Sequence, residues 1–212
     1  MDLERYFLQD DGEGGFPFSL NEKDWSSYLA AIDSEAGKFF RLFIEKRYMS
    51  NHLDIIFSEM SWKKIFFNGG DCVSSDVEVV TFHKNPVNIA SKAIFFFVEK
   101  IWDILISREK KLPVETCWLF AKLMNIMQKE MLSGIANIDS CEYILAICHF
   151  KNVMAAVNSA INSLETFPDV SDRAKGFLRD FTMALFDIRE LAWQSIVLCN
   201  VSEHRYNDGA QF

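Results

Sequence analysis

Residues 139–168 have the sequence DSCEYILAICHFKNVMAAVNSAINSLETFP, in which apolar side chains recur at alternating steps of four and three. The residues that follow this spacing are Tyr143, Ile147, Phe150, Met154, Val157, Ile161 and Leu164. Such spacing places them all on one face of an α-helix. Asp139 with Glu142 three positions later is typical of a capping box at a helix start, and Phe167-Pro168 is typical of an end. The stretch therefore predicts one long amphipathic helix within a helical assembly.

The same spacing recurs along the rest of the chain, between residues that are typical of helix starts and ends. The predicted starts are Asn21, Ser50 or Asn51, Asn85-Pro86, Pro113 and Ser171. Trp62, Ile65 and Phe66 are candidates for a continuation of the second helix. The helix from Pro113 is expected to end at Gly134, and the last one at Val201. The helix over residues 85–107 is apolar on most sides, which predicts that it is the central one.

Together these patterns predict an all-α protein with a single compact bundle of six to seven amphipathic helices. The helical domain is expected to span residues 21–201, preceded by an acidic N-terminal arm (1–20) and followed by a loose C-terminal tail (202–212). Residues 69–85 are interpreted as a loop with an extended piece, because they offer one short β-prone run and no partner strand.

The net charge is −8 and half of the residues are apolar, a composition that is ordinary for a globular protein. An acidic surface argues against binding to nucleic acid, which usually needs a basic stripe, and favours a basic protein partner. The five cysteines show no pairing pattern, which predicts neither a disulfide framework nor a zinc site and favours the reducing cytoplasm. The most apolar run, residues 89–106, is too polar for a membrane span, so no membrane partner is expected.

Two acidic segments are the predicted contacts for a partner protein. The arm carries Asp10, Asp11, Glu13 and Phe16, which combine negative charge with an aromatic anchor. The last helix carries Asp187 and Glu190 at helical spacing, most simply interpreted as a solvated acidic face. These residues form the predicted binding set.

One segment of the sequence resembles a known catalytic motif. No metal-ligand spacing, phosphate-cradling loop or nucleophile motif is present, so no metal or cofactor is expected. Arg47-Tyr48-Met49-Ser50-Asn51-His52 resembles the Arg-x(4–6)-His element of the helical HEPN-type ribonucleases. That resemblance implies that Arg47 would bind the scissile phosphate and that His52 would act on the attacking hydroxyl, usually across a dimer interface.

The sequence therefore predicts a non-catalytic acidic protein that neutralises a basic partner, most specifically a bacterial immunity protein or antitoxin that blocks a toxin or effector domain. A HEPN-like ribonuclease that uses Arg47 and His52 is the alternative enzyme. A chaperone or adaptor whose groove is lined by Met124, Met127 and Met131 is the alternative binding protein. Self-association as a homodimer through an aromatic face is a further possibility.

Overall fold

The structure is a computed structural model that describes residues 22–62, 84–109, 112–165 and 171–209. The predicted acidic arm, with its contact residues Asp10, Asp11, Glu13 and Phe16, lies outside the described residues. The extended piece expected near residues 77–82 also lies outside them.

The described residues form six α-helices and contain no strand, which confirms the predicted all-α bundle. The helices are α1 (Glu22–Lys46), α2 (His52–Glu59), α3 (Pro86–Arg108), α4 (Val114–Asp139), α5 (Tyr143–Glu165) and α6 (Asp172–Gly209). Helices α4, α5 and α6 pack side by side, and α3 packs against α1, α4 and α6. One continuous apolar core runs through all six helices.

The central position predicted for the helix after Asn85 is confirmed for α3. Its residues Ile89, Ala90, Ile94 and Val98 are completely buried, and its side chains fill the space between α1 and α6. The start of α3 is also as predicted, because the Asn85 side chain accepts a hydrogen bond from the Val87 N–H at 2.9 Å. A helix that is apolar on most sides is stable only in such a buried position.

The stripe predicted over residues 139–168 is confirmed in α5, but the helix start was placed wrongly. Helix α4 does not stop at Gly134 and continues to Asp139, so Asp139 ends one helix instead of capping the next. The chain turns at Cys141, which adopts a left-handed conformation with φ 59°. The Glu142 N–H donates to the Asn137 carbonyl at 2.8 Å, which closes the helix end in a Schellman-type turn.

Gly134 has a packing role inside α4. A Cβ atom at this position would lie 2.8 Å from the ring of Phe150, which is completely buried on α5. Glycine is therefore used here for the close approach of two helices and does not mark a helix end. This explains why the predicted stop was wrong.

Helix α2 is shorter than the predicted continuation through Trp62. It ends at Glu59, and Ser61 takes a left-handed conformation with φ 63°. The Trp62 N–H then donates to the Phe57 carbonyl at 2.8 Å, and the indole ring lies over Phe39 in the core. Trp62 is thus the apolar residue that anchors the turn after α2.

Helix α6 extends further than predicted. Ser171 caps its start, since its hydroxyl oxygen accepts a hydrogen bond from the Ala174 N–H at 3.3 Å. The helix then continues past the predicted end at Val201 to Gly209, through most of the segment that was expected to be a loose tail. Residues 202–209 lack apolar periodicity, so no local pattern predicts this extension.

Helix α5 is the one described helix that is long and apolar enough to cross a membrane by length and composition. The qualifying span is Tyr143–Leu164, with a mean hydropathy of 1.4. The core helix of a soluble protein satisfies the same criteria. Here α5 packs between α4 and α6.

Candidate functional site

The main cluster of charged side chains lies where the α1–α2 connection meets α6. It consists of Arg47, Tyr48, His52, Asp180 and Asp187, and is called the polar junction below. Asp180 and Asp187 lie two turns apart on one side of α6. Arg47 and His52 approach them from the other side of the junction.

Arg47 is held by several partners at once. One of its terminal nitrogens donates to the Ile44 carbonyl, and the other lies 3.6 Å from an Asp180 carboxylate oxygen. The second nitrogen also donates to the Tyr48 hydroxyl at 3.0 Å, and this hydroxyl donates to Asp180 at 2.8 Å. The guanidinium lies over the rings of Tyr48 and Phe97. These contacts fix the α1–α2 connection to α6.

His52 forms the second link of the polar junction. Its Nε2 atom lies 3.0 Å from Asp187 Oδ1, and the two side chains keep only 14% and 10% of their exposure. The N–H direction is not aligned with the carboxylate, so the contact is an ion pair by distance rather than a well-formed hydrogen bond. The ring also packs against Phe43 of α1.

The environment of His52 favours its charged form. Burial lowers the pKa of His52, but the Asp187 carboxylate and the Met49 backbone act in the opposite direction. Their combined effect leaves the pKa of His52 above its ordinary value. In its imidazolium form, His52 has no free ring nitrogen with which to accept a proton from a substrate.

The structure brings the predicted ribonuclease residues Arg47 and His52 into one cluster. Each of them, however, already faces a carboxylate, and those carboxylates would repel an approaching phosphate. Tyr48 and Asp180 complete the cluster. The sequence search found the Arg47–His52 spacing but did not connect it to α6, because helix packing brings together residues 132 positions apart.

The two predicted contact residues on α6 have different environments. Asp187 is only 7% exposed and belongs to the polar junction, so its predicted place on a solvated face is wrong. The reason is that His52, at the start of α2, lies against its carboxylate. Glu190, one turn later, is exposed, as predicted. Of the two residues, only Glu190 is available to a partner at the surface.

Glu190 is surrounded by large apolar side chains on the solvent side of α6. This surface, called the outer face of α6, comprises Phe186, Glu190, Trp193, Val197 and Val201. Trp193 alone is 52% exposed. The sequence analysis missed the four apolar members, although their spacing of seven, four and four places them on one helical face.

The opposite side of the same helix fills the core. Phe181, Leu185, Ile188, Ala192 and Cys199 are completely buried, as the apolar spacing predicted. Helix α6 is therefore apolar on two sides, a pattern that is usual for a helix covered on both. An exposed apolar stripe of this kind is a candidate interaction surface.

The negative and the positive charge on the outer face differ in how far they are exposed to solvent. The Glu190 carboxylate accepts a hydrogen bond from Gln194 at 3.0 Å and remains exposed. The neighbouring Arg189 guanidinium lies over the Phe186 ring and donates to Asn158 of α5 at 3.3 Å. The cation is thus held against the protein, whereas the carboxylate is presented to solvent.

A second group of polar contacts lies between α4 and α5. His149 Nδ1 lies 2.8 Å from Glu130 Oε2, which joins α5 to α4, and Asn152 donates to the same oxygen at 2.9 Å. Asn152, followed by His149, lowers the pKa of Glu130. Met124, Met127 and Met131 are buried and fill the core instead of lining an open groove.

Two exposed thiols border a shallow depression at the start of α5. The depression has a volume of about 440 Å³, and Cys141, Cys148 and Glu203 are among its lining residues. Among the described residues, no group of three or more histidine, cysteine or acidic side chains is arranged to hold a metal ion. The depression therefore has no recognisable ligand set.

Comparisons with known protein families, with curated proteins and with solved structures find no match to this chain. The resemblance of residues 47–52 to the HEPN-type ribonucleases consequently rests on these six residues alone.

Proposed function

We propose that this protein acts by binding a partner protein that carries basic and apolar side chains, and that the outer face of α6 is the surface that binds it. The observation that supports the proposal is the position of Glu190, an exposed carboxylate between Phe186 and Trp193 on a stripe of exposed apolar residues. Aromatic side chains of this kind supply much of the affinity of protein interfaces. A carboxylate among them favours a cation on the partner.

The chemistry of the partner follows from the charges around this face. Arg189 is held against Phe186 and Asn158, so the exposed charge on this part of the face is the negative one of Glu190. The net charge of −8 adds a long-range attraction for a basic protein. The complementary surface is a helix or ridge with apolar side chains and a lysine or arginine among them.

In its most specific form, the proposal is that the protein neutralises a basic toxin or effector domain in the cytoplasm, as an immunity protein or antitoxin does. Covering a basic active surface requires an acidic surface and rapid association, both of which an excess of negative charge provides. The arm residues Asp10, Asp11, Glu13 and Phe16 remain proposed additional contacts. They would extend the acidic surface beyond the outer face.

The experiment is affinity capture with three versions of the chain, followed by binding measurements with the purified partner. Trp193→Ser removes the largest side chain of the outer face, and Trp118→Ser removes an even more exposed tryptophan from α4. The proposal expects one basic partner that binds wild type and Trp118→Ser but is lost or much weakened with Trp193→Ser. A partner that binds all three versions equally contradicts the choice of surface.

Salt dependence separates the electrostatic part of the proposal from the apolar part. Raising the salt concentration to about 0.5 M shortens the range of charge–charge interactions to a few ångströms. The association rate with a basic partner is expected to fall, while the dissociation rate changes little. If the captured protein is a second copy of this chain, the outer face is a homodimer interface and the proposed basic partner is wrong.

Ribonuclease activity is the second candidate, because the structure places Arg47 and His52 in one cluster with Tyr48. The carboxylates of Asp180 and Asp187 count against it, since both cationic side chains are paired with them. The test is cleavage of a labelled single-stranded RNA by the wild type and by His52→Ala. Cleavage that disappears in the variant supports the enzyme, and cleavage that is absent or unaltered excludes it.

A further inference from the structure

The position of α2 depends on the polar junction. Helix α2 packs chiefly against α1, and its link to α6 is made by the pair of His52 and Asp187. Arg47 and Tyr48 attach the preceding connection to Asp180 of the same helix. A polar link of this type can be weakened by a change of charge without disturbing the apolar core.

The His52 ring lies against a single carboxylate. Its Nε2 atom is 3.0 Å from Asp187 Oδ1, and both side chains are largely buried. A neutral imidazole has only one N–H, whereas the imidazolium has two. The contact matches the charged ring, because an imidazolium is attracted by the Asp187 carboxylate and a neutral ring carries no charge to attract.

We propose that the His52–Asp187 pair is a pH-sensitive latch between α2 and α6, closed by the imidazolium form of His52 and weakened when the ring loses its proton. This goes beyond the proposed binding function and does not depend on it. Opening would free the start of α2 from α6, while Arg47 and Tyr48 keep the preceding connection on Asp180.

Other charged groups lie near the pair. Arg47, Tyr48 and Asp180 belong to the same junction, Arg179 lies beside Asp180, and Asp54 is a further carboxylate near His52. Histidine is the only one of these residue types whose charge ordinarily changes near neutral pH. The response of the latch is therefore assigned to His52.

The direction of the pH response follows from the raised pKa of His52. A group whose pKa is higher in the folded protein stabilises the fold fully below its unfolded value, about 6.5 for histidine. That contribution is lost as the pH rises through the folded-state pKa. The latch is thus closed in mildly acidic solution and weakened in alkaline solution.

The test is hydrogen exchange of the full-length protein at about pH 6 and about pH 9, with exchange times corrected for the intrinsic effect of pH. Protection of the α2 amides is expected to fall several-fold in the wild type, while that of α5 stays constant. His149→Gln is the matched control, because it removes the other histidine–carboxylate pair, 2.8 Å from Glu130. This control should keep the response of the wild type.

Two further measurements make the outcome decisive. Asp187→Asn should show low α2 protection at both pH values, and a pH response that persists in this variant overturns the proposal. If this variant does not fold, NMR titration of the His52 ring in the wild type tests the latch instead. A pKa at or below the ordinary histidine value overturns the latch, as does equal α2 protection of the wild type at both pH values.

Discussion

Asp187 and Glu190 lie one helical turn apart on α6, yet the first is paired with His52 in a buried junction and the second is exposed among aromatic side chains. Removing the two charges should therefore have different consequences, one for the stability of the fold and the other for binding. Asp187 contributes to the stability of the fold, and Glu190 is available for binding. The following predictions separate these roles.

Replacing Asp187 by Asn should destabilise the protein by about 1–3 kcal/mol, because charged His52 loses its partner in a poorly solvated site. Glu190→Gln, which makes the same chemical change at an exposed position, should alter the free energy of unfolding by less than about 0.5 kcal/mol. Urea unfolding at pH 6 measures both. Equal effects of the two substitutions would contradict the assignment of Asp187 to the junction.

Gly134→Ala should destabilise the protein by about 1–3 kcal/mol, although alanine favours helices. The new Cβ atom would lie 2.8 Å from the buried ring of Phe150, so that α4 and α5 must separate. Gly37→Ala in α1 is the control, since its Cβ atom would meet nothing within 4 Å. The control should be stabilised by about 1 kcal/mol in thermal or urea unfolding.

If both glycine substitutions stabilise the protein, the close approach of α4 and α5 at Phe150 is wrong.

Cys141→Gly should stabilise the protein by about 0.5–1 kcal/mol, because Cys141 has a left-handed backbone conformation with φ 59° that glycine adopts more easily. Ala155→Gly, at an exposed position within α5, should instead cost about 1 kcal/mol. Unfolding in the presence of a reducing agent keeps thiol chemistry out of the comparison. A loss of stability in Cys141→Gly would place the turn between α4 and α5 elsewhere.

The helices were predictable where apolar spacing and capping residues agree, as they do at Asn85 and along α5. Predictions failed where one residue type serves two purposes. Gly134 suggested a helix end but provides close packing, and Asp139 suggested a cap but ends α4. Local sequence does not show which neighbour a helix will meet, and that neighbour decides the role of such residues.

The candidate site was less predictable than the fold for a related reason. The spacing of Arg47 and His52 was visible in the sequence, but their partners Asp180 and Asp187 lie on a helix more than a hundred residues away. Asp187 looked like a surface residue because Arg189 and Glu190 follow it on the same helix. Its burial goes with its contact to His52 at the start of α2, which no local pattern encodes.

The outer face of α6 is the part of the account on which the proposed function depends. Trp193→Ser should lower the free energy of unfolding by no more than about 2 kcal/mol, since the side chain is 52% exposed and only its buried half contributes. Thermal unfolding measures this directly. A large loss of stability would mean that Trp193 supports the fold, and binding losses in this variant could then not be assigned to the surface.

The most direct measurement is the dissociation constant of the captured partner for two charge reversals, Glu190→Lys on the outer face and Glu35→Lys on the exposed side of α1. Both change the net charge equally, so long-range attraction falls by the same amount. The account predicts that Glu190→Lys weakens binding by about tenfold or more, because it sets a cation against a basic partner, while Glu35→Lys has only a small effect. Equal weakening by both variants, or none by either, would contradict it.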